Sequence, residues 1–235
     1  MPDVAFPAPA GPVSGYLSVP DGPGPWPGVV IVHDALGLTT DVKRIADRMA
    51  GAGYLTIVPA LYHRGFRPRC VVATLRALST GRGVAVDDVI AARQYLADDD
   101  RCTGKVGAVG FCMGGGFCLL LAPHGVFDAV APNYGVLNHD SDYDLLGQAC
   151  PVVASYGARD RMLRGAAAKV EAILTAGGVP HDVKEYPDVG HSFMNDFGLP
   201  APLRKIEDVA GIAYSALEAE DAWDRIVTFF GQHLS

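Results

Sequence analysis

Apolar residues along this chain fall in short, unbroken runs instead of alternating with polar ones. Residues 28–33 (GVVIVH), 54–58, 106–109, 127–131, 151–156 and 183–186 are strand-length runs, the second stopped by Pro59. Segments of helical period lie between them: 40–50, opening at Thr39 or Thr40 as a cap, and 84–96, with apolar residues at 86, 89, 90 and 96. Two more are 166–176, closed by Gly177-Gly178, and a long terminal stretch over 216–234. Strands that are apolar on both faces and separated by helices predict a mostly parallel, doubly wound sheet with helices on both sides. Residues 14–19, set among the prolines and glycines of 7–28, read as an edge strand. Residues 62–82 have no clean period and admit a helix over 70–79, while 136–150 leave room for a short loop but hardly for a helical lid.

Composition narrows the classes. A chain of 235 residues, 49% hydrophobic and 19% charged, suits one α/β domain over 1–235 with a sizeable core. The formal net charge of −7 gives no footprint for nucleic acid, and no apolar run is long enough to span a membrane. The first residues lack the charged and apolar regions of a signal peptide. Five cysteines (70, 102, 112, 118 and 150) without C-x-x-C spacing argue against a disulfide framework or metal site and for a reducing cytoplasm. Monomer and small homo-oligomer are both compatible with this composition.

One stretch carries the chemistry. Residues 105–116 (KVGAVGFCMGGG) read as a buried strand breaking into a glycine-crowded turn with Cys112 at its apex, followed by a helix-compatible segment over 117–122. A strand–turn–helix of form G-x-nucleophile-x-G lifts a reactive side chain above a sheet edge, and the flanking glycines admit a strained, closely approached backbone. A thiolate needs a base to form it and a third group to orient that base. The chain order of an α/β-hydrolase, nucleophile then acid then histidine, is met by Cys112, by Asp160 just past the strand over 151–156, and by His191 just past the strand over 183–186. The blander reading of Asp160 is a turn aspartate near residue 164, and Asp188 is a rival acid too close in sequence to His191 to reach behind its ring. His33-Asp34-Ala35-Leu36-Gly37 also ends a strand. The backbone N–H groups of Ala35 and Met113 are candidate oxyanion donors. Asp34 either points at the thiol or caps its loop. His63, Phe111, Met113, Tyr134 and Phe193 are candidates to line the pocket, with simple packing as the alternative for each.

The motifs G-F-C-M-G-G, H-D-A-L-G-L and Y-P-D-V-G-H-S-F, with the closing A-W-D-R-I-V-T-F-F, give the chain, over nearly its whole length, a resemblance to the dienelactone hydrolase family. The resemblance implies an α/β-hydrolase fold with a minimal lid. It also implies a Cys112–His191–Asp160 triad, oxyanion N–H groups from Ala35 and Met113, and no metal or organic cofactor. The activity implied is hydrolysis of a small ester or lactone through an S-acyl enzyme. Two positions depart from the family. Its thiol-gating glutamate is Asp34 here, one methylene shorter, and the arginine that helps hold a substrate carboxylate is matched by Asn195. Loss of that guanidinium fork weakens the case for a carboxylate-bearing substrate. Arg64, Arg67, Arg69 or Arg82 are possible replacements among which the sequence does not choose. Alternatives from other classes are a non-catalytic small-molecule binder on the same fold, an esterase or thioesterase acting on non-lactones, and a thiol sensor pairing Cys112 with Cys118.

Overall fold

In a computed structural model describing residues 4–198 and 212–235, the apolar runs form one eight-stranded sheet. The strands are β1 (Val4–Phe6), β2 (Val13–Ser18), β3 (Trp26–Val32), β4 (Leu55–Pro59), β5 (Cys102–Phe111), β6 (Ala129–Asn133), β7 (Val152–Gly157) and β8 (His181–Tyr186). Their spatial order is β1-β2-β4-β3-β5-β6-β7-β8. Only the β1–β2 and β2–β4 pairs are antiparallel; every later pair is parallel. The central strands β3, β5, β6 and β7 are fully buried over their inner residues, which is why they are apolar without alternation.

Helices α1 (Thr40–Gly51), α2 (Arg67–Thr80), α3 (Val84–Ala97), α4 (Met113–Leu121), α5 (Asp140–Asp144), α6 (Ala166–Gly177) and α7 (Ala216–His233) cover the two faces. Thr39 caps α1, its hydroxyl accepting the N–H of Val42 at 3.3 Å. On one face Arg48 of α1 grips Glu220 of α7 through two bonds of 2.7 and 2.6 Å and lies over the Trp223 ring. Helices α2, α3 and α4 pack together on the other.

Four expectations are corrected. The strand expected at the edge is second from it, because β1 pairs outside β2. The strand expected over 127–131 is displaced to Ala129–Asn133 and runs through Pro132. The helix admitted over 70–79 is present but longer, as the fourteen-residue α2. Its period was obscured because Val72 and Leu75 face outward while the polar Thr74 is buried. Residues 136–150 are helical too, as α5 and a 3-10 turn over Leu145–Gln148. That segment is pinned to the body by buried Tyr143 and Leu146 and by Lys169 of α6, 3.8 Å from the Tyr143 ring centroid.

The sheet centre positions the site through backbone proximity. A Cβ on Gly114 would stand 1.9 Å from the Val32 carbonyl oxygen, and one on Gly110 2.1 Å from that of Gly114. Gly114→Ala is therefore expected to cost more than about 3 kcal/mol or to abolish soluble expression, because neither partner is a side chain that can turn away. Gly51→Ala, in open space at the end of α1, is the control and should stay within about 1 kcal/mol of the parent in urea denaturation.

Candidate active site

Cys112 sits between β5 and α4 with φ 53° and ψ −113°, a left-handed conformation that a residue with a Cβ adopts only under constraint. Its N–H donates to the Asn133 carbonyl at 3.0 Å, and its own carbonyl accepts the N–H of Gly116 at 3.1 Å. The elbow is thus tied to β6 on one side and to α4 on the other. Met113 opens the helix, so its N–H has no partner within it and points out of the helix end. Among the described residues, the non-glycine residues with positive φ are Cys112, Tyr134 and Ser192. All three belong to the neighbourhood of one imidazole: Ser192 follows His191, and the Tyr134 ring lies 5.1 Å from that of His191.

Asp160 and His191 come together because their loops are stitched to each other. Ala158 N–H donates to the Tyr186 carbonyl at 2.9 Å and Arg159 N–H to that of Val189 at 3.0 Å. Gly157 permits this approach, since a Cβ there would lie 2.4 Å from the Gly190 oxygen. His191 Nδ1 and Asp160 Oδ2 are 2.6 Å apart and buried. Asp160 Oδ1 accepts the N–H of Met162 at 2.9 Å, so the turn role and the histidine partnership coexist in one carboxylate. The rival acid is turned away: Asp188 is exposed and pairs with Arg159 at 2.6 Å.

Burial works against the His191 imidazolium. The Asp160 carboxylate and the neighbouring Cys112 sulfur outweigh it and raise the pKa from 6.5 to about 9. His191 Nε2 has no hydrogen-bond partner within bonding geometry among the described residues. We therefore read the Cys112 contribution as one of charge across a short gap instead of a formed hydrogen bond.

Cys112, Met113, Ala35, Tyr134 and His191 all line one cavity of about 560 Å³. Asp34 does not line it. Its Oδ1 accepts the Leu36 N–H at 2.7 Å, fixing the turn that presents Ala35, and burial raises its carboxyl pKa. Four other candidates are placed elsewhere. His63 is held between the carbonyls of Ala60 (2.7 Å) and Pro12 (3.1 Å), away from the cavity. Phe111 points into the core between Tyr134 and Trp223, and Phe193 packs between Tyr134 and Tyr186. Asn195 is buried, accepting the Tyr134 hydroxyl and donating to Asp41 Oδ2 at 2.8 Å. None of the four lines the cavity.

Lining residues absent from the expectations are Leu75, Leu78 and Ser79 of α2, Val136, Asn138, Met162 and Leu163. The 75, 78, 79 spacing was a helical face in plain view, hidden only by the outward apolar residues beside it.

A parallel sheet with a strained elbow at its centre, and an acid–histidine pair on the loops after β7 and β8, defines an α/β-hydrolase. The dienelactone hydrolase family profile matches residues 13–234. The chain belongs to the dienelactone hydrolase family and is a carboxylic ester hydrolase. It is similar to "Protein usf" of Aquifex pyrophilus, 28% identical with 95% of this chain and 94% of that protein covered. It is also similar to the carboxymethylenebutenolidase of Rhodococcus opacus, 26% identical over 94% and 86% of the two chains. Among solved structures it resembles a dienelactone hydrolase-like promiscuous phosphotriesterase from metagenomic libraries. That match has a TM-score of 0.80 and 25% identity, covering 99% of this chain and 97% of the other. No helix among the described residues is long and apolar enough to cross a membrane.

Because the folded His191 pKa lies above its ordinary value of 6.5, the pair contributes stability that is fully present below 6.5 and is lost as pH rises through about 9. Relative to Asp160→Asn, the wild type should show its full stability advantage near the lower value, and urea titrations should find the gap narrowing toward the upper one.

Proposed function

We propose that the chain hydrolyses a small ester or lactone by nucleophilic catalysis from Cys112, with His191 as general base and acid and Asp160 as its orienting partner. The observation that carries this reading is the 2.6 Å Asp160–His191 contact beside a cysteine held at positive φ in one cavity. Cys112 passes its proton to Nε2 of His191, and the sulfur attacks the carbonyl carbon. The tetrahedral oxyanion lies against the backbone N–H groups of Met113 and Ala35, which the helix start and the Asp34 turn hold in place. Collapse breaks the C–O bond, His191 hands its proton to the leaving alkoxide, and an S-acyl enzyme remains. Water then enters, gives a proton to His191 and attacks the thioester; the acid leaves and the proton returns to sulfur.

Two further readings rest on the same residues. The cysteines are all free, in keeping with a cytoplasmic home. The thiol-sensor alternative is disfavoured because Cys118 is buried in α4, and burial raises its thiol pKa well above the ordinary value.

Mixing with p-nitrophenyl acetate should release a stoichiometric burst of p-nitrophenol that vanishes in Cys112→Ala. Asp160→Asn should keep the fold and lose on the order of 10³-fold in kcat. Neither burst nor turnover in the parent would point to a binding protein. A burst that survives Cys112→Ala would remove the nucleophile from its role.

A further inference from the structure

The chemistry of the cavity wall narrows which ester this site accepts, an inference that rests on the reading of Cys112 as nucleophile. Leu75, Leu78 and Ser79 form one wall, Val136 and Asn138 another, and Met162 with Leu163 a third. Leu75 and Met162 are exposed at the rim, while Leu78 and Leu163 are buried deeper. Among the described residues, no lysine or arginine lines the cavity; its ionisable groups are Cys112, His191 and Tyr134.

Of the groups considered for holding a substrate carboxylate, Arg69 and Arg82 do not line the cavity, and the other three are engaged by the protein itself. Asn195 is buried between Tyr134 and Asp41. Arg64 is bound to Asp88 at 2.7 Å and to the carbonyls of Ala10 and Gly11, and Arg67 donates to the Leu36 carbonyl. An anionic substrate group would shed its hydration against leucine and methionine side chains, and the His191 imidazolium beside them is already paired with Asp160. An aliphatic group would instead exchange water for leucine and methionine surface.

We propose that this cavity selects uncharged esters or lactones with an apolar acyl portion and discriminates against those whose acyl portion carries a carboxylate. Leu75, Leu78 and Met162 set that preference.

The test compares 4-nitrophenyl hexanoate with mono-4-nitrophenyl adipate, which share chain length and leaving group and differ in a terminal carboxylate. The neutral ester should be favoured in kcat/KM by about tenfold or more. Lengthening the acyl chain from acetate to hexanoate should raise kcat/KM about two- to fourfold per methylene. Leu75→Arg, at the exposed rim, should close the neutral-to-anionic gap by about tenfold. A variant that was merely destabilised would lower both rates together and leave their ratio unchanged, which would count against the assignment of Leu75. Wild-type preference for the adipate ester, or equal rates, would overturn the proposal while leaving the Cys112 mechanism standing. If neither ester turns over, the mechanism fails, and calorimetry on Cys112→Ala still decides the cavity's selectivity. Tighter binding of methyl hexanoate than of monomethyl adipate supports the proposal; equal binding, the reverse, or none overturns it.

Discussion

The contact on which the rest of the structure depends is the near-touching of backbones at Gly114 and Val32. With a Cβ at Gly114 1.9 Å from a carbonyl oxygen, α4 could not start where it does. The chain would then leave β5 at another angle, and Cys112 would have no reason to hold φ 53°. That one approach also places the end of β3 beside the start of α4. The turn carrying Ala35 and the first N–H of α4 therefore face the same cavity as the sulfur. Cys112 and the backbone N–H groups of Ala35 and Met113 are positioned by a single packing decision made in backbone atoms, which is a stiffer support than side-chain contacts would provide.

A second, independent junction brings Asp160 and His191 together. Gly157 lets the loop after β7 lie against the loop after β8, and two backbone hydrogen bonds lock them. Asp160 and His191 are neighbours because of that lock, and the resulting pair keeps the imidazolium favourable despite burial. The two halves meet only across the cavity, where Nε2 lacks a hydrogen-bonding partner among the described residues. A buried ring nitrogen without a hydrogen-bonding partner is costly for stability.

The departures from the family pattern make physical sense together. Asn195, the position at which the resemblance leads one to expect an arginine, joins Tyr134 to Asp41. Tyr134 is thereby fixed at positive φ with its ring against His191. Asn195 thus acts as a buried brace beneath the Tyr134–His191 ring contact. Apolar side chains from α2 and from the turn after Asp160 then complete the wall.

The parallel sheet and the order of its central elements were legible in the chain, because strands buried on both faces must be apolar throughout. The elbow was legible because only glycine tolerates such approaches at positions 110 and 114. The pairing of Asp160 with His191 was legible from their places after strands, and Asp188, exposed and bound to Arg159, was separable by its nearness to the histidine. Helix α2 was legible only in part, over 70–79 and not at its ends, since its apolar residues serve the cavity mouth as well as the core and so blur the period. The fate of His63, Phe111, Phe193 and Asn195 was not legible, because their residue types suit a pocket and a core equally. Local pattern records which groups must be buried and where the backbone must bend. Which side of a buried group meets the cavity depends on how distant segments pack, and only the tertiary structure decides that.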